Sequence, residues 1–319
     1  MKTKVILVGR LAEKLDFVIT DSLDGLARNE RVVKRVESRD AIRSFDGMIY
    51  HVAYGLVSLG VPPTVISQVG KNFDWHFRPH MEGLGIDLRI FADSEKETAC
   101  SYVLTDENGR SLVVNQQNTY RFFAEHQLKE KISTQELKGY SAGFIATGKA
   151  EADIKFVTEL TRYNSSLPLI YSPDGNISEL TRWKLEPIFK RIALLICSEE
   201  ELQIIENRLG KSRTEILPQF NTLKYVISIT DRTKIVVHSD EAIIKITEGP
   251  ADEIRRLTGW ESAFRAGVIF GVAMKKPIEE AAKVGSALAS YAVERKQYSP
   301  SPEQIALRAF EIKSIRKPI

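Results

Sequence analysis

The sequence contains few cysteines and no long apolar run, and both shortages exclude classes of protein. Two cysteines in 319 residues are too few for a disulfide framework. Cys100 and Cys197 lie in apolar, strand-like runs, which predicts buried, reduced thiols in a cytoplasmic protein. No apolar run reaches the roughly 18 residues of a transmembrane helix, and the early run VILVG is too short for a signal peptide.

An excess of charge and a metal-binding pattern are also absent. The 45 basic and 42 acidic residues are interspersed and leave a net charge of +3, so neither a nucleic acid nor a membrane is a predicted partner. Among the histidines, only His76 and His80 have metal-ligand spacing, and no third ligand accompanies them. No metal site is therefore predicted. Without linkers, repeats or low-complexity segments, residues 1–319 are interpreted as a single domain.

Short apolar runs that alternate with helical patterns dominate the chain. A run of this kind, ended by a turn residue, is typical of a strand buried on both faces. Strands that alternate with helices predict an α/β fold in which helices flank a central, mostly parallel sheet. The predicted sheet strands are KVILVG, TVISQVG, AGFIATG, LPLIYS, IALLICS and KYVISIT.

Other segments depart from this alternation. The runs LDFVIT and RVVKRVE, and a hairpin over 100–115 that turns at Asn108-Gly109, predict a small antiparallel β lid within about 15–37 and 98–116. Such a lid would cover a site at the carboxyl edge of the parallel strands. A second hairpin, around Ser239-Asp240, predicts an antiparallel edge to the main sheet. The basic residues at 313–317 are interpreted as a solvated helix end.

A loop with Thr258 and Gly259 precedes the helical pattern in RRLTGWESAFRAG, at 255–267. The free N–H groups at a helix N-terminus bind anions, so this junction is a candidate phosphate site. Trp260 and Glu261, however, are bulky and negative where a phosphate needs bare backbone. Small residues follow at helical spacing and would let the helix pack closely against a sheet: Ala263, Ala266, Gly267 and Gly271.

The order of these segments resembles the ribokinase-like (PfkB-type) family of sugar and nucleoside kinases. The resemblance covers nearly the whole chain and is strongest over 51–73 and 262–290, HVAYGLVSLGVPPTVISQVGKNF and SAFRAGVIFGVAMKKPIEEAAKVGSALAS. It implies one ribokinase-like α/β domain with a β lid, ATP and Mg²⁺ as cofactors, and a sugar or nucleoside hydroxyl as phosphoryl acceptor. Because members often associate through their lids, it also implies a homodimer.

The family's catalytic loop, D-T-x-G-A-G-D, falls on residues 256–262. Gly259 keeps a family glycine, whereas Glu261 replaces the second glycine and Ser262 replaces the catalytic aspartate. A serine hydroxyl does not ionise at neutral pH without its own base. A carboxylate about 4 Å from a phosphate charge adds roughly 4 kcal/mol of repulsion at an effective dielectric near 20, so Glu261 is expected to oppose phosphate binding.

The resemblance places the acceptor on a second group of residues. The family's acceptor-binding aspartate falls on Lys14, with Asp16 one strand period away, and its Gly-Gly and Asn fall on Asp46-Gly47 and His51. These five residues are the candidate substrate-binding set, in a cleft under the lid. A lysine in place of a carboxylate favours an anionic or carbonyl-bearing ligand over a neutral sugar.

The remaining family motifs also differ at their chemical positions. Of the N-x-x-E motif, only Glu201 remains. The structural interpretation of that segment is a helix N-terminal turn, and the functional alternative is that Glu201 binds metal-bound water. The glycines of the nucleotide loop T-x-G-x-x-G are replaced by Thr230 and Thr233. The family's Asp-Pro is replaced by Ser172-Pro173, with Asp174 next.

Three hypotheses follow from this contrast between scaffold and chemistry. The first is a ribokinase-fold protein with lost or strongly reduced phosphotransferase activity, which acts by binding a ligand or partner and for which no cofactor is predicted. The second is a divergent sugar or nucleoside kinase that uses Mg²⁺ and ATP, with Asp16, Asp174 or Glu261 as the base. The third is a structural subunit of a larger assembly, which would need an exposed apolar patch.

Overall fold

The computed structural model describes residues 3–20, 22–23, 36–175, 177–231, 234–247, 259–294 and 300–318. The strands are β1 (Val5–Gly9), β2 (Ala12–Ile19), β3 (Ser38–Asp46), β4 (Thr64–Ile66), β5 (Gln68–Val69), β6 (Asp87–Leu88), β7 (Phe91–Ala92), β8 (Ala99–Thr105), β9 (Ser111–Gln116), β10 (Ala142–Ala146), β11 (Leu169–Tyr171), β12 (Leu194–Ser198), β13 (Tyr225–Asp231), β14 (Lys234–His238), β15 (Ala242–Ile246) and β16 (Ser314–Pro318). The α-helices are α1 (Met48–Ser58), α2 (Phe73–Gly83), α3 (Thr134–Leu137), α4 (Ala150–Tyr163), α5 (Arg182–Phe189), α6 (Glu199–Leu209), α7 (Arg213–Gln219), α8 (Trp260–Ala273), α9 (Ile278–Glu294) and α10 (Pro302–Glu311). None of the helices within these ranges is long and apolar enough to cross a membrane.

The main sheet has the order β16-β15-β14-β13-β12-β11-β10-β1-β4-β6. All pairs from β13 to β6 are parallel, and β13, β14, β15 and β16 pair antiparallel. The mostly parallel sheet and the antiparallel hairpin around Ser239-Asp240 are thus confirmed. The basic tail is not a helix end, since β16 continues the antiparallel edge and Arg316 pairs with Ile244.

Helices cover both faces of the sheet and explain its continuous apolar strands. Leu7 of β1 packs in the cluster that includes Phe264 of α8, whereas its neighbour Ile6 packs in the cluster that includes Phe156 of α4. Adjacent side chains of a strand point to opposite faces, so both faces of β1 lie in apolar cores. Such a strand needs an unbroken apolar run, as the sequence predicted.

The lid is a second sheet with the order β3-β2-β8-β9. The predicted hairpin joins β8 and β9, and Gly109 in its turn has a φ of 76°. β2 contains the predicted strand LDFVIT up to Ile19, but it pairs parallel with β8, so the lid is not wholly antiparallel. The strand expected over 31–37 is replaced by β3 at 38–46; residues 36 and 37 are not in a strand, and 31–35 lie outside the described residues.

The two glycines of α8 pack against another helix, whereas the sequence suggested a sheet as the partner; Ala263 and Ala266 lie in the apolar cluster that also contains Leu7 of β1. A Cβ on Gly267 would lie 2.5 Å from the Cα of Gly285 in α9, and one on Gly271 would lie 2.4 Å from the Cβ of Ala281. Contacts this short require glycine, because any side chain would push the two helices apart. The α8–α9 pair thereby fixes the start of α8 relative to the sheet.

Candidate active site

Several strands of the parallel region end at one edge, and polar residues follow them. Arg10 comes directly after β1, Ser172 and Asp174 come after β11, and Ser198 ends β12. The start of α8 lies at the same edge, because Arg265 in its second turn contacts Ser172. The carboxyl edge of an open α/β sheet is the common location of a ligand site.

Three predicted acceptor residues share one face of the lid. In the strand register, Asp46 of β3 lies opposite Ala12, and Lys14 and Asp16 follow at alternate positions on β2. Lys14 Nζ and Asp16 Oδ1 are 2.9 Å apart. Because Asp16 balances the charge of Lys14, the pair gives weaker support for an anionic ligand than an isolated lysine would, and the ligand preference stays a prediction.

Asp46 and His51 join this lid face to α1. His51 Nε2 and Asp46 Oδ1 are 3.3 Å apart. Burial alone would raise the pKa of Asp46, but hydrogen bonds from His51, the Gly47 N–H and Ser101 hold that pKa well below its usual range. Gly47 has a φ of 98°, and a Cβ there would lie 2.2 Å from the carbonyl oxygen of Arg10, so only glycine allows this approach. The structure therefore brings the candidate acceptor residues together, and their role in binding stays a prediction.

Ser262 is the third residue of α8. Gly259 precedes the helix in the left-handed conformation, with a φ of 87°, so the junction has the predicted loop-to-helix form. Within the described residues, the Ser262 hydroxyl has no hydrogen-bond partner. A nucleophile or base of this type needs such a partner.

Glu261 is tied to a buried arginine. Arg265 Nη1 donates to Glu261 Oε2 at 3.1 Å, and Arg265 Nε donates to Ser172 Oγ at 3.2 Å. The Arg265 side chain is only 4% exposed. The charge of Glu261 is balanced within the protein, so the repulsion of roughly 4 kcal/mol expected for an isolated carboxylate is an overestimate.

Glu201 acts as a helix cap. Its carboxylate accepts a hydrogen bond from the Ser198 N–H at 2.9 Å, while Ser198 Oγ accepts one from the Glu201 N–H at 3.0 Å. This reciprocal capping box satisfies two N–H groups at the start of α6. One carboxylate oxygen of Glu201 thereby caps the helix, in agreement with the prediction that this segment is a helix N-terminal turn.

The candidate nucleotide loop is only partly described. Thr230 lies near the end of β13 with an exposed side chain, and Thr233 lies outside the described residues. Where the family has glycine at both positions, a Cβ-bearing residue limits how closely a phosphate can approach the backbone. Whether either threonine contacts a nucleotide stays a prediction.

Asp174 is a carboxyl group without a hydrogen-bond partner among the described residues. Burial raises its pKa to about 6, the charges of Asp46 and Glu201 act in the same direction, and Arg10 and Arg265 oppose the rise. Asp46 of the lid is therefore within electrostatic range of Asp174 on the main sheet. The charge of a lid residue therefore acts on a carboxyl at the edge of the main sheet.

Arg10 carries a second unpartnered group. Its Nε is buried and makes no hydrogen bond, although the residue as a whole is partly exposed. Its charge acts on Asp174 and also on Tyr120, whose hydroxyl donates to the Thr147 carbonyl. The guanidinium of Arg10 is therefore within electrostatic range of groups that follow β11 and that contact the end of β10.

The donor set gives little support for a protein-bound divalent ion. Over the described residues, no group of three or more His, Cys, Asp or Glu side chains could hold a metal. Mg²⁺ that arrives with ATP needs only one or two carboxylates, with phosphates and water as its other ligands. Asp174 and the second oxygen of Glu201 are the groups at this edge that fit such a limited role.

Two charged residues of the site were missed at the level of sequence. Arg265 interrupts a run of small and apolar residues, and a charged residue on a helix that is apolar all round signals a buried polar contact. Arg10 directly follows a fully buried strand, which is where α/β sheets place ligand-binding groups. Both signals were present, but the family motifs do not include either position.

Comparison with known proteins identifies the family of the chain. The pfkB family carbohydrate kinase model matches residues 52–305. A nucleoside kinase from Methanocaldococcus jannaschii is 22% identical over 295 residues, which cover 91% of this chain and 93% of the relative. The crystal structure of a nucleoside kinase from that organism has a TM-score of 0.83 at 18% identity and covers 97% and 99% of the two chains.

Two further structures show the same fold. Burkholderia thailandensis nucleoside kinase in complex with inosine has a TM-score of 0.78 at 15% identity, with 96% of both chains covered. Arabidopsis thaliana ribokinase with ribose and ATP has a TM-score of 0.78 at 14% identity, with 97% of this chain and 99% of that chain covered. The match of the family model over most of the sequence, together with this fold, shows that the chain belongs to the pfkB carbohydrate kinase family.

Proposed function

We propose that this protein binds a hydroxylated small molecule in the cleft between the lid and the sheet edge, and that its phosphotransferase activity is lost or strongly reduced. The observation that carries the proposal is Ser262. It stands where the family's catalytic aspartate is expected, and its hydroxyl has no hydrogen-bond partner among the described residues. Loss of a positioned base alone typically lowers a rate by roughly 10²–10⁴.

The neighbouring groups support the same proposal. A shift of register by one residue would offer Glu261 as the base, but its carboxylate accepts from Arg265 one turn further along α8. Glu201 keeps one oxygen in a helix cap. Both carboxylates are thus occupied by contacts within the protein.

The names of the relatives suggest the class of ligand. The similar structures are nucleoside kinases and ribokinases, and among them are complexes with inosine and with ribose. Asp46 and His51 offer a carboxylate and an imidazole that suit the hydroxyl groups of such compounds. A nucleoside-like or pentose-like molecule is the proposed ligand class.

Calorimetry tests the nucleotide part of the proposal. Thr230 and Thr233 in place of glycines, and Glu261 in the anion turn, predict that Mg·ATP binds weakly or not at all. When wild-type protein is titrated with micromolar Mg·ATP, we expect no measurable heat of binding. Micromolar affinity would defeat this expectation and favour a kinase.

A divergent kinase is the second candidate, and Asp174 favours it. A general base works best when its pKa lies near the working pH, and the pKa of Asp174 is raised to about 6. The carboxyl is also unpartnered, so it is available to a bound hydroxyl. On this alternative, ATP and Mg²⁺ are the cofactors and Asp174 accepts the acceptor's proton.

The two candidate functions differ in the pH dependence of turnover and in the effect of Asp174→Asn. If Asp174 is the base, turnover rises with pH through about 6 and disappears in Asp174→Asn. If the protein is inactive, wild type and Asp174→Asn form the same negligible amount of product at every pH. Exposed Asp240 provides the matched control, since Asp240→Asn removes a carboxylate far from the cleft.

A further inference from the structure

The cationic side chains around the cleft differ in whether they form ion pairs within the protein. Lys14 pairs with Asp16 at 2.9 Å, and Arg265 pairs with Glu261 at 3.1 Å. Arg10 has neither an ion pair nor a hydrogen bond with any described residue. Of these three cations, Arg10 is the one whose charge has no partner in the described part of the protein.

Arg10 also lies where a ligand would sit. Arg10 follows β1 and Asp174 follows β11, with β10 between the two strands, and the charge of Arg10 acts on Asp174. The charged atoms of Arg10 and Asp174 are more than 4.0 Å apart, since no ion pair joins them. A donor and a carboxyl group, both unpartnered among the described residues, therefore lie at the same edge of the sheet without contacting each other.

The buried Nε of Arg10 is a hydrogen-bond donor without an acceptor. A buried donor without an acceptor is energetically unfavourable, and a charged one more so. A guanidinium is matched best by the two oxygens of a carboxylate or phosphate. The neighbouring Asp174 suits a hydroxyl group, which both donates and accepts.

We infer that Arg10 selects the ligand of this cleft by binding an oxyanion, so that the ligand is a hydroxylated compound that carries a phosphate or carboxylate group. The oxyanion contacts Arg10, and a hydroxyl of the same molecule contacts Asp174. This inference rests on the proposed ligand-binding function and narrows its substrate class. It replaces Lys14 with Arg10 as the source of anion preference.

Matched pairs of compounds test the inference by thermal shift and calorimetry. The probes are ribose with ribose 5-phosphate and ribonate, and inosine with inosine 5′-monophosphate; the ribonate arm separates carboxylate from phosphate. The proteins are wild type, Arg10→Met, Arg10→Lys and the control Arg39→Met. Arg39 is an exposed lid residue paired with Glu107, so its substitution removes one positive charge outside the cleft.

In wild type, at least one anionic probe should bind more tightly than its neutral partner. Arg10→Met should weaken that anion about 10- to 100-fold, as expected for loss of a charge-assisted hydrogen bond, and leave neutral compounds unchanged. Arg10→Lys keeps the charge without the planar fork and should lose less. Arg39→Met should match wild type with every probe.

Three outcomes contradict the inference. In the first, wild type binds the neutral partner as tightly as the anionic probe or more tightly. In the second, Arg10→Met loses the same affinity for neutral and anionic probes. In the third, wild type binds none of the anionic probes at millimolar concentration. Melting of each unliganded variant shows whether it is folded; if Arg10→Met is not, Arg10→Lys carries the comparison. None of these readouts involves turnover, so an active enzyme would refute the proposed loss of activity and leave this inference standing.

Discussion

Ser262 lies where the family's catalytic aspartate is expected, and the proposed loss of activity rests on it. If it were the sole defect, Ser262→Asp would place a base on the correct turn of α8 and restore turnover. We expect the single variant to stay inactive, because the introduced carboxylate would stand beside that of Glu261, and two adjacent carboxylates repel each other. Glu261→Gly with Ser262→Asp should exceed either single variant in product formation, although the double variant should remain slow.

A non-additive gain of this kind is expected of residues that act as one unit. The measurement is ATP consumption with a panel of sugars and nucleosides, for wild type, both single variants and the double variant. Substantial turnover by Ser262→Asp alone would contradict the interpretation and would mean that the rest of the site is intact.

The pairing of Glu261 with Arg265 leads to a second prediction at the scale of residues. Glu261→Gly leaves the buried guanidinium of Arg265 with Ser172 as its remaining described partner. Because Glu261 itself is half exposed, we expect a modest loss of about 1–2 kcal/mol in the free energy of unfolding. Urea denaturation measures this loss.

Arg265→Met provides the matched arm of a double-mutant cycle. In that background Glu261→Gly should cost clearly less, since no buried charge is left without its partner. Equal losses in both backgrounds would show that the pair contributes nothing to stability.

Among the elements, the lid strand β9 is the one most suited to association. All of its residues are exposed, and Leu112 and Val114 are 49% and 51% exposed at the edge of the lid sheet. An exposed apolar edge strand is a template for pairing with another chain. A homodimer through the lid therefore remains our proposal for the oligomeric state.

Leu112→Lys tests the lid dimer. We expect wild type to elute as a dimer in size-exclusion chromatography with light scattering, and Leu112→Lys to shift towards monomer with an unchanged circular dichroism spectrum. Leu307→Lys, on the exposed face of α10, is the control and should remain dimeric. A wild-type monomer at every accessible concentration would rule out this association.

Elements were foreseeable from sequence to very different degrees. β1, β10 and β12 are buried on both faces, so their apolar runs predicted them directly. β3 was missed because it is an edge strand whose SRDAIRSFD sequence is mostly exposed and charged, which leaves no apolar alternation to detect. β16 was missed for the same reason, since Arg316 and Lys317 on an outer strand look like a solvated helix end.

The candidate site was foreseeable only where residues act locally. The helix cap at Glu201 and the loop before α8 follow from short-range sequence rules. The contact of Arg265 with Ser172 joins residues far apart in the chain, and no periodicity reports it. The approach of Arg10 to Asp174 likewise depends on the order of strands in the sheet, which the sequence does not state.

At the scale of the whole molecule, buried carboxyls make stability depend on pH. Asp153 is 1% exposed. Burial raises its pKa from 3.8 to about 7, against hydrogen bonds from Thr147 and Tyr171 that lower it. A carboxyl with a raised pKa in the folded state stabilises the fold while protonated, and this contribution is lost as pH rises from about 4 to about 7.

Asp153→Asn tests this contribution because its side chain does not ionise. The free energy of unfolding of the variant, relative to wild type, should increase by roughly 2–4 kcal/mol between pH 4 and pH 8. His238, whose pKa is lowered to about 4 by burial, acts in the opposite direction in both proteins and cancels in the difference. A difference that does not change with pH would contradict the assignment, and Asp240→Asn is the exposed control.

The central claim is that the family fold has been kept while phosphoryl transfer has been lost or strongly reduced. Product formation by the unmodified protein tests it most directly, with Mg·ATP and a panel of sugars, nucleosides and their phosphorylated or carboxylated derivatives. The account predicts turnover at least about 10²–10⁴-fold below the roughly 1–100 per second of typical kinases, unchanged in Asp174→Asn. Robust formation of a phosphorylated product, abolished by Asp174→Asn, would contradict it and assign the protein as an active kinase with a relocated base.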